Sequence, residues 1–226
     1  MSGPAKPANR LLSALSANTY ASLRPLLEAY QLKYRTELYA SGAVIKHVYF
    51  PESGIISLLT AVAERSTLEV GIVGNEGMVG LSLYLGEKRS NTKAVVQGDG
   101  VALRMKGADF LAECERSDEL PKVLRRFTHS LLTQISQSAV CNRFHLVDTR
   151  LARWLLMTAD RMESNDFLIT QDFLSNMIGV RREAVSRAAF KLQEEDLISY
   201  QRGNLTIRDR KKLESLACDC YALISA

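Results

Sequence analysis

Glycine is spread unevenly along this 226-residue chain, and that distribution limits the folds open to it. Nine of the thirteen glycines lie between Leu32 and Met105, at positions 42, 54, 71, 74, 77, 80, 86, 98 and 100. Inside a helix each would cost about 1 kcal/mol. The runs between them are short and β-prone: Val44–Phe50, Ile55–Thr60, Leu68–Val73, Ala94–Gln97 and Val101–Met105. Short strands separated by Gly-rich turns predict an antiparallel barrel or sandwich. Ahead of it, Leu11, Leu12, Leu15, Tyr20, Leu23, Leu26, Leu27 and Tyr30 follow helical spacing over residues 10–31. That predicts one or two short helices, interrupted near Asn18 and Pro25.

The texture then reverses. From Ala108 to Met162 there is no glycine, and the only proline is Pro121, a residue suited to a first helical turn. A helix of more than twenty residues is expected after it, with Leu124, Phe127, Leu131, Ile135, Ser138 and Asn142 forming a heptad-like stripe. Such a stripe packs either on its own β-domain or on a twofold mate. A second helix is expected from about Leu146 to Met162, with Leu151, Trp154, Leu155 and Ala159 on one face.

Residues 166–226 form a further unit. Thr170 opens a short helix through Met177, Ile178-Gly179-Val180 breaks it, and a second helix continues to about Glu195. Two β-prone runs follow, Leu197–Gln201 and Leu205–Arg208, joined by Arg202-Gly203-Asn204, a hairpin signal. Two helices, a tight turn and a hairpin make a winged helix-turn-helix. The chain is thus α+β, divided as 1–118, 119–145 and 146–226.

The second helix carries the chemistry. Arg182, Glu183, Ser186 and Arg187 share one face near its N-terminus, whereas Ala184, Val185, Ala188, Ala189 and Leu192 form an apolar back. On an isolated helix such charges are usually just a solvated surface with weak ion pairs. Following a glycine turn and preceding a wing, they match major-groove chemistry. Arg bonds guanine O6 and N7 together, Glu accepts from cytosine N4, and Ser bonds a base or a phosphate. Thr170 is the expected N-cap of the first helix. Thr170 and Gln171 at that helix start, with Arg181, Lys191, Arg202 and Arg208, are expected at the phosphates.

Bulk properties permit this reading without requiring it. The net charge is +4, mildly basic. No apolar run reaches the roughly 18 residues of a membrane span, and the polar turn at Asn18 argues against a signal peptide; a cytoplasmic location is expected. No nucleophile–base signature, phosphate loop or metal spacing suggests an enzyme.

The stretch Thr170-Gln-Asp-Phe-Leu-Ser-Asn-Met-Ile-Gly-Val-Arg-Arg-Glu-Ala-Val-Ser-Arg, continuing to Leu197-Ile198, resembles the helix-turn-helix of the Crp/Fnr family of bacterial transcription regulators. The whole chain follows that family's order. The resemblance implies an N-terminal antiparallel β-roll (jelly roll) sensor of the cyclic-nucleotide-binding type, a dimerisation helix and a winged helix-turn-helix. It implies base readout by Arg182, Glu183, Ser186 and Arg187. It also implies a homodimer on palindromic double-stranded DNA, with half-sites like TGTGA or TTGAT, and RNA polymerase as a partner. A small-molecule module whose winged helix serves protein contact is the alternative.

The effector is less legible. Cyclic-AMP-binding members use Gly-Glu followed by Arg-Ser, and here Glu76, Arg89 and Ser90 are the counterparts. Asn75 replaces a glycine and the spacing is longer, so a cyclic nucleotide is the expected cofactor class only through a degenerate cassette; the alternative makes Arg89 and Ser90 loop residues. The first cysteine is Cys114, which leaves no N-terminal iron–sulfur motif. His47, His129 and His145 have no haem-ligand context. Cys218 and Cys220 alone do not complete a tetrahedral zinc site and read as buried or idle thiols. Cys141 sits on the predicted dimer helix.

Overall fold

The computed structural model describes residues 6–63 and 66–225. The chain divides into two compact units: Met1–Leu58 with Ile72–Leu131, and Leu59–Gly71 with Leu132–Ala226. Among the described residues no helix is long and apolar enough to cross a membrane.

The first unit opens with two short helices, α1 (Arg10–Ser13) and α2 (Ala17–Leu23). Asn9 and Ser16 cap them, each side chain accepting from a backbone N–H three residues on. Asn9 is fully buried, and its amide donates to the carbonyls of Pro51 (2.8 Å) and Gly77 (2.9 Å), tying this segment to the strands. The helical spacing that reaches Tyr30 does not make a helix there. A 3-10 turn at Arg24–Leu26 ends the run, and β1 (Glu28–Leu32) begins. Ladder pairing overrides the local pattern. β1 lies antiparallel to β7 (Gly100–Lys106), and Tyr30 meets the Tyr49 ring edge-on at 5.4 Å and the Arg104 guanidinium at 5.0 Å.

The remaining strands of the β-roll are β2 (Glu37–Tyr39), β3 (His47–Pro51), β4 (Ile55–Ala63), β5 (Ser66–Val73) and β6 (Lys93–Gly98). They form an antiparallel sheet β1-β7-β3 and a four-stranded sheet β2-β6-β4-β5. β2 was not visible as a β-prone run, and Val44, expected in a strand, makes only an isolated bridge to Arg89. The core is built from Val48 and Phe50, Ile55 and Ile56, Ile72, Ala94 and Val96, and Met105, joined by Phe110 of α3 (Gly107–Arg116). Two glycines are fixed by close approach. A Cβ on Gly100 would lie 2.3 Å from the Ser53 carbonyl oxygen, and one on Gly77 would lie 2.3 Å from the Phe127 ring.

Phe127 belongs to α4 (Leu120–Phe144), the long helix predicted from Pro121 onward. Its first half answers the choice left open by the stripe. Leu124, Phe127 and Leu131 are buried within the first unit, so they serve its own β-roll. In the second half another row, Leu132, Val140 and Phe144, is exposed, at 58%, 43% and 72%. These three follow the i, i+4 ridge of the helix.

The second unit is organised around α5 (Val147–Met162), where every residue from Arg150 to Ala159 is buried. A helix buried on all sides is a core element. Around it lie β8 (Asp166–Leu168), α6 (Gln171–Ile178), α7 (Arg182–Glu194), β9 (Ile198–Gln201), β10 (Asn204–Ile207), α8 (Arg210–Leu216) and α9 (Cys220–Ser225). β8, α8 and α9 were not foreseen. β8 completes a three-stranded wing, β8-β10-β9, as an edge strand of three residues, too short to show alternation. The wing turn is Arg202-Gly203, both with positive φ, and Asn204 already belongs to β10. Two left-handed residues suit the twist of a two-residue hairpin.

Because Gly77 leaves no room beneath the Phe127 ring, Gly77→Ala is expected to lower the unfolding free energy by about 1–3 kcal/mol, the usual range for overpacking. Denaturant titration of both proteins checks this.

Candidate nucleic-acid interface

The helix-turn-helix is assembled from local rules. Thr170 caps α6, its hydroxyl accepting from the Phe173 N–H at 3.2 Å. Gly179 closes α6 in the left-handed region, φ 70°, and its N–H donates to Ser175 O at 2.9 Å. A Cβ there would also meet the Leu68 side chain at 2.4 Å, so the turn is restricted both by conformation and by space. Arg181 is the N-cap position of α7, extended and without a side-chain cap bond.

The α7 faces separate cleanly. Val185, Ala188, Ala189 and Leu192 are buried, and Ala184 is half-buried at the margin. Arg181, Arg182, Glu183 and Arg187 are exposed, while Ser186 is half-buried. The Ser186 hydroxyl donates to Gln171 Oε1 at 2.8 Å, joining the two helices across the turn. Arg182 stands 3.4 Å from Asp172, both side chains being well exposed at 60% and 70%. Such a pair is weak and easily exchanged for another anion.

Thr170, Gln171, Asp172, Arg182, Tyr200, Arg202 and Gly203 line an open cleft of about 400 Å³. It brings the start of α6, the start of α7 and the wing turn together. Tyr200 is braced by its hydroxyl, which donates to Ile169 O at 2.9 Å. Asp172 and Tyr200 were not singled out from the sequence. Their only signals are a first-turn acid opposite Arg182 and an aromatic two residues before the wing turn.

The remaining expected phosphate contacts are dispersed. Arg202 and Arg208 are exposed on the wing. Lys191 donates to Asp148 of α5 at 2.7 Å. That bond lowers the Asp148 carboxyl and raises the Lys191 ammonium from their ordinary values, and it commits the Lys191 charge to the fold.

A buried cation holds the turn in place. Arg150 of α5 is 7% exposed, and its Nη2 donates to Asn142 Oδ1 at 2.8 Å and to the carbonyl of Ile178, the last residue of α6. Burial pushes this guanidinium below its ordinary value. Trp154, one turn on, donates from its indole to Glu69 Oε1 at 2.8 Å, fixing the β4–β5 hairpin to α5.

In the first unit the three effector candidates have separate anchors. Glu76 accepts from the Gly74 N–H at 3.1 Å. Arg89 is exposed and donates to Gly42 O at 2.8 Å. Ser90 is buried, its hydroxyl bonded to Thr92 O at 2.7 Å.

Arg150→Ala is expected to cost about 1–3 kcal/mol of stability, because the Ile178 carbonyl and the Asn142 amide lose their donor inside the protein. Chemical denaturation followed by Trp154 emission measures it.

The family model of the Crp-like helix-turn-helix domain matches residues 149–216. The model of the cyclic nucleotide-binding domain matches residues 31–117. No curated protein matches the chain in sequence. Among solved structures, FixK2 from Bradyrhizobium japonicum aligns with a TM-score of 0.72 and 15% identity, over 85% of this chain and 98% of its own. A transcriptional regulator of the crp/fnr family from Eubacterium rectale aligns at 0.71 and 18%, over 92% and 98%. The c-di-GMP-responsive regulator CLP from Xanthomonas campestris aligns at 0.70 and 17%, over 86% and 100%. These structural likenesses establish a shared fold, and the two family models, which together span about two thirds of the chain, place this protein in the Crp/Fnr family of DNA-binding transcription regulators.

Proposed function

We propose that the protein binds a palindromic duplex as a homodimer and reads each half-site with Arg182, Glu183, Ser186 and Arg187. The observation that carries this is the division of α7. Its back is buried among Val185, Ala188, Ala189 and Leu192, and its charged face opens beside a cleft shared with the wing. Arg187 is exposed and in no ion pair among the described residues, so its fork is free for a guanine edge. Ser186, held by Gln171, contributes through that pair: Gln171 meets the backbone and fixes where the hydroxyl stands. Thr170, Arg181, Arg202 and Arg208 take the flanking phosphates, which set register and affinity rather than sequence. Lys191 acts indirectly, by holding α7 to Asp148.

The exposed Leu132–Val140–Phe144 ridge supports pairing of two α4 helices, the arrangement that would set two recognition helices one DNA turn apart. RNA polymerase is the further partner that follows for a regulator of this family, and a cytoplasmic, non-enzymatic role accompanies it. A cyclic nucleotide using Arg89 and Ser90 would have to displace Gly42 and Thr92 from them, so DNA binding without such a ligand is the expected behaviour.

Selection of bound fragments from a random duplex pool, with and without cyclic AMP and cyclic GMP, should yield one palindrome in all conditions. Against it, Arg187→Ala should lose about 1–3 kcal/mol of discrimination at one half-site position. Arg202→Ala should weaken all duplexes alike and reduce the salt slope by about one. If Arg187→Ala kept the wild-type preference for the palindrome over random DNA, the assignment of base readout to this face would be wrong. Leu132→Asp combined with Phe144→Asp should shift the sedimenting species from dimer to monomer.

A further inference from the structure

The end of α4, the segment after α8 and the start of α9 bring four metal-binding side chains to one point. Cys141, His145, Cys218 and Cys220 each direct one ligand atom inward, and these atoms all lie within 4.8 Å of one another. Cys141 lies in the last turn of α4 and His145 directly follows the helix, four residues on, where its backbone N–H still donates to Cys141 O and keeps both side chains on one side. Cys218 and Cys220 supply the other half as a Cys-x-Cys arm. Cys141 Sγ is 3.6 Å from Cys218 Sγ, and Cys220 Sγ is 3.8 Å from His145 Nδ1. All four cysteines of the chain are free thiols.

We propose that Cys141, His145, Cys218 and Cys220 form a structural Cys3His zinc site that fastens the end of the chain to the long helix. The spacing is that of ligands around a single ion. Zn–S bonds of about 2.3 Å and a Zn–N bond of about 2.0 Å, set tetrahedrally, place ligand atoms roughly 3.5–3.8 Å apart. An iron–sulfur cluster is larger than one ion and needs its ligands further apart. Four protein donors with none left open for water is the pattern of a structural rather than a catalytic zinc. Cys141 and Cys220 are buried, which protects thiolates from oxidation and solvent.

The charge balance also fits. On binding, the three thiols release their protons to solvent, and three thiolates with one neutral imidazole around Zn²⁺ leave one negative charge. Burial raises the Cys141 and Cys220 thiols above their ordinary values, and the charge of Arg153 of α5 opposes that rise. Arg153 is 7% exposed and, among the described residues, bonds only neutral partners, Ser138 Oγ at 3.4 Å and Met157 Sδ at 3.7 Å, with its Nε unbonded. A buried cation without a carboxylate partner is costly, and an anionic metal centre beside it supplies the missing charge. Around the site α9 is further held through Tyr221, whose hydroxyl donates to Asp160 of α5 at 2.8 Å, and Arg210, which bonds the same carboxylate.

The test uses the full-length chain, purified under reducing conditions from zinc-supplemented cells. Elemental analysis should find about one zinc per chain, and Cys114→Ser, outside the cluster, should keep it. Cys218→Ser with Cys220→Ser should lose it. Because that variant can misfold, the wild type is also stripped with a chelator and reloaded with Co²⁺ alone. Intense visible bands of tetrahedral, thiolate-bound cobalt are expected, and Zn²⁺ should bleach them and raise the Tm of the stripped protein. Absence of zinc together with a pale octahedral cobalt spectrum would overturn the proposal. So would zinc retention in the double variant, or iron and acid-labile sulfide in place of zinc.

Discussion

Everything in the second unit depends on burying α5 together with its charges. Ten consecutive residues, Arg150–Ala159, lie out of solvent, and two of them are arginines. Desolvating a guanidinium is expensive, so each must find compensation locally. Arg150 finds it at the carbonyl end of α6 and at Asn142 of α4. In doing so it converts a helix terminus, which would otherwise end in unsatisfied carbonyls, into a joint between three helices. The recognition helix is positioned by the turn that follows that joint. The geometry of the exposed α7 face is therefore fixed from behind, by a buried side chain on another helix.

Much of this was legible beforehand, for physical reasons. Glycine placement separated the β-roll from the helical half because glycine is penalised in helices and needed in tight turns. Pro121 marked the start of α4, and Thr170 and Gly179 marked the ends of α6, because caps have few chemical solutions. What stayed hidden depended on tertiary contact. Tyr30 continued a helical pattern but joined a strand, because pairing with β7 and the Arg104–Tyr49 cluster outweighs local spacing. β8 is three residues long and stable only beside β10. The candidate site divides likewise. The faces of α7 follow from periodicity, but the pairing of Ser186 with Gln171, and of Lys191 with Asp148, needed the fold. So did the meeting of Cys141 and His145 with Cys218 and Cys220, across more than seventy residues of chain.

The long helix carries two apolar rows with different fates. Its first half is committed to the β-roll through Phe127, whose ring sits where Gly77 omits a side chain. Its second half leaves Leu132, Val140 and Phe144 in solvent. The heptad-like stripe read from sequence follows only the inward row; Leu132 lies one residue on from Leu131, and that step around the helix separates inward from outward.

The bond between Trp154 and Glu69 has a practical meaning. Trp154 is the only tryptophan in the chain, and its indole N–H is held by a carboxylate from the β4–β5 hairpin. Emission excited at wavelengths beyond tyrosine absorption therefore originates at one contact, in the middle of the helix that supports the turn between α6 and α7. Any event that lifts the hairpin from α5 changes the polarity around that ring and so its emission wavelength. The molecule carries its own optical gauge of that contact, with no dye to attach and no residue to alter.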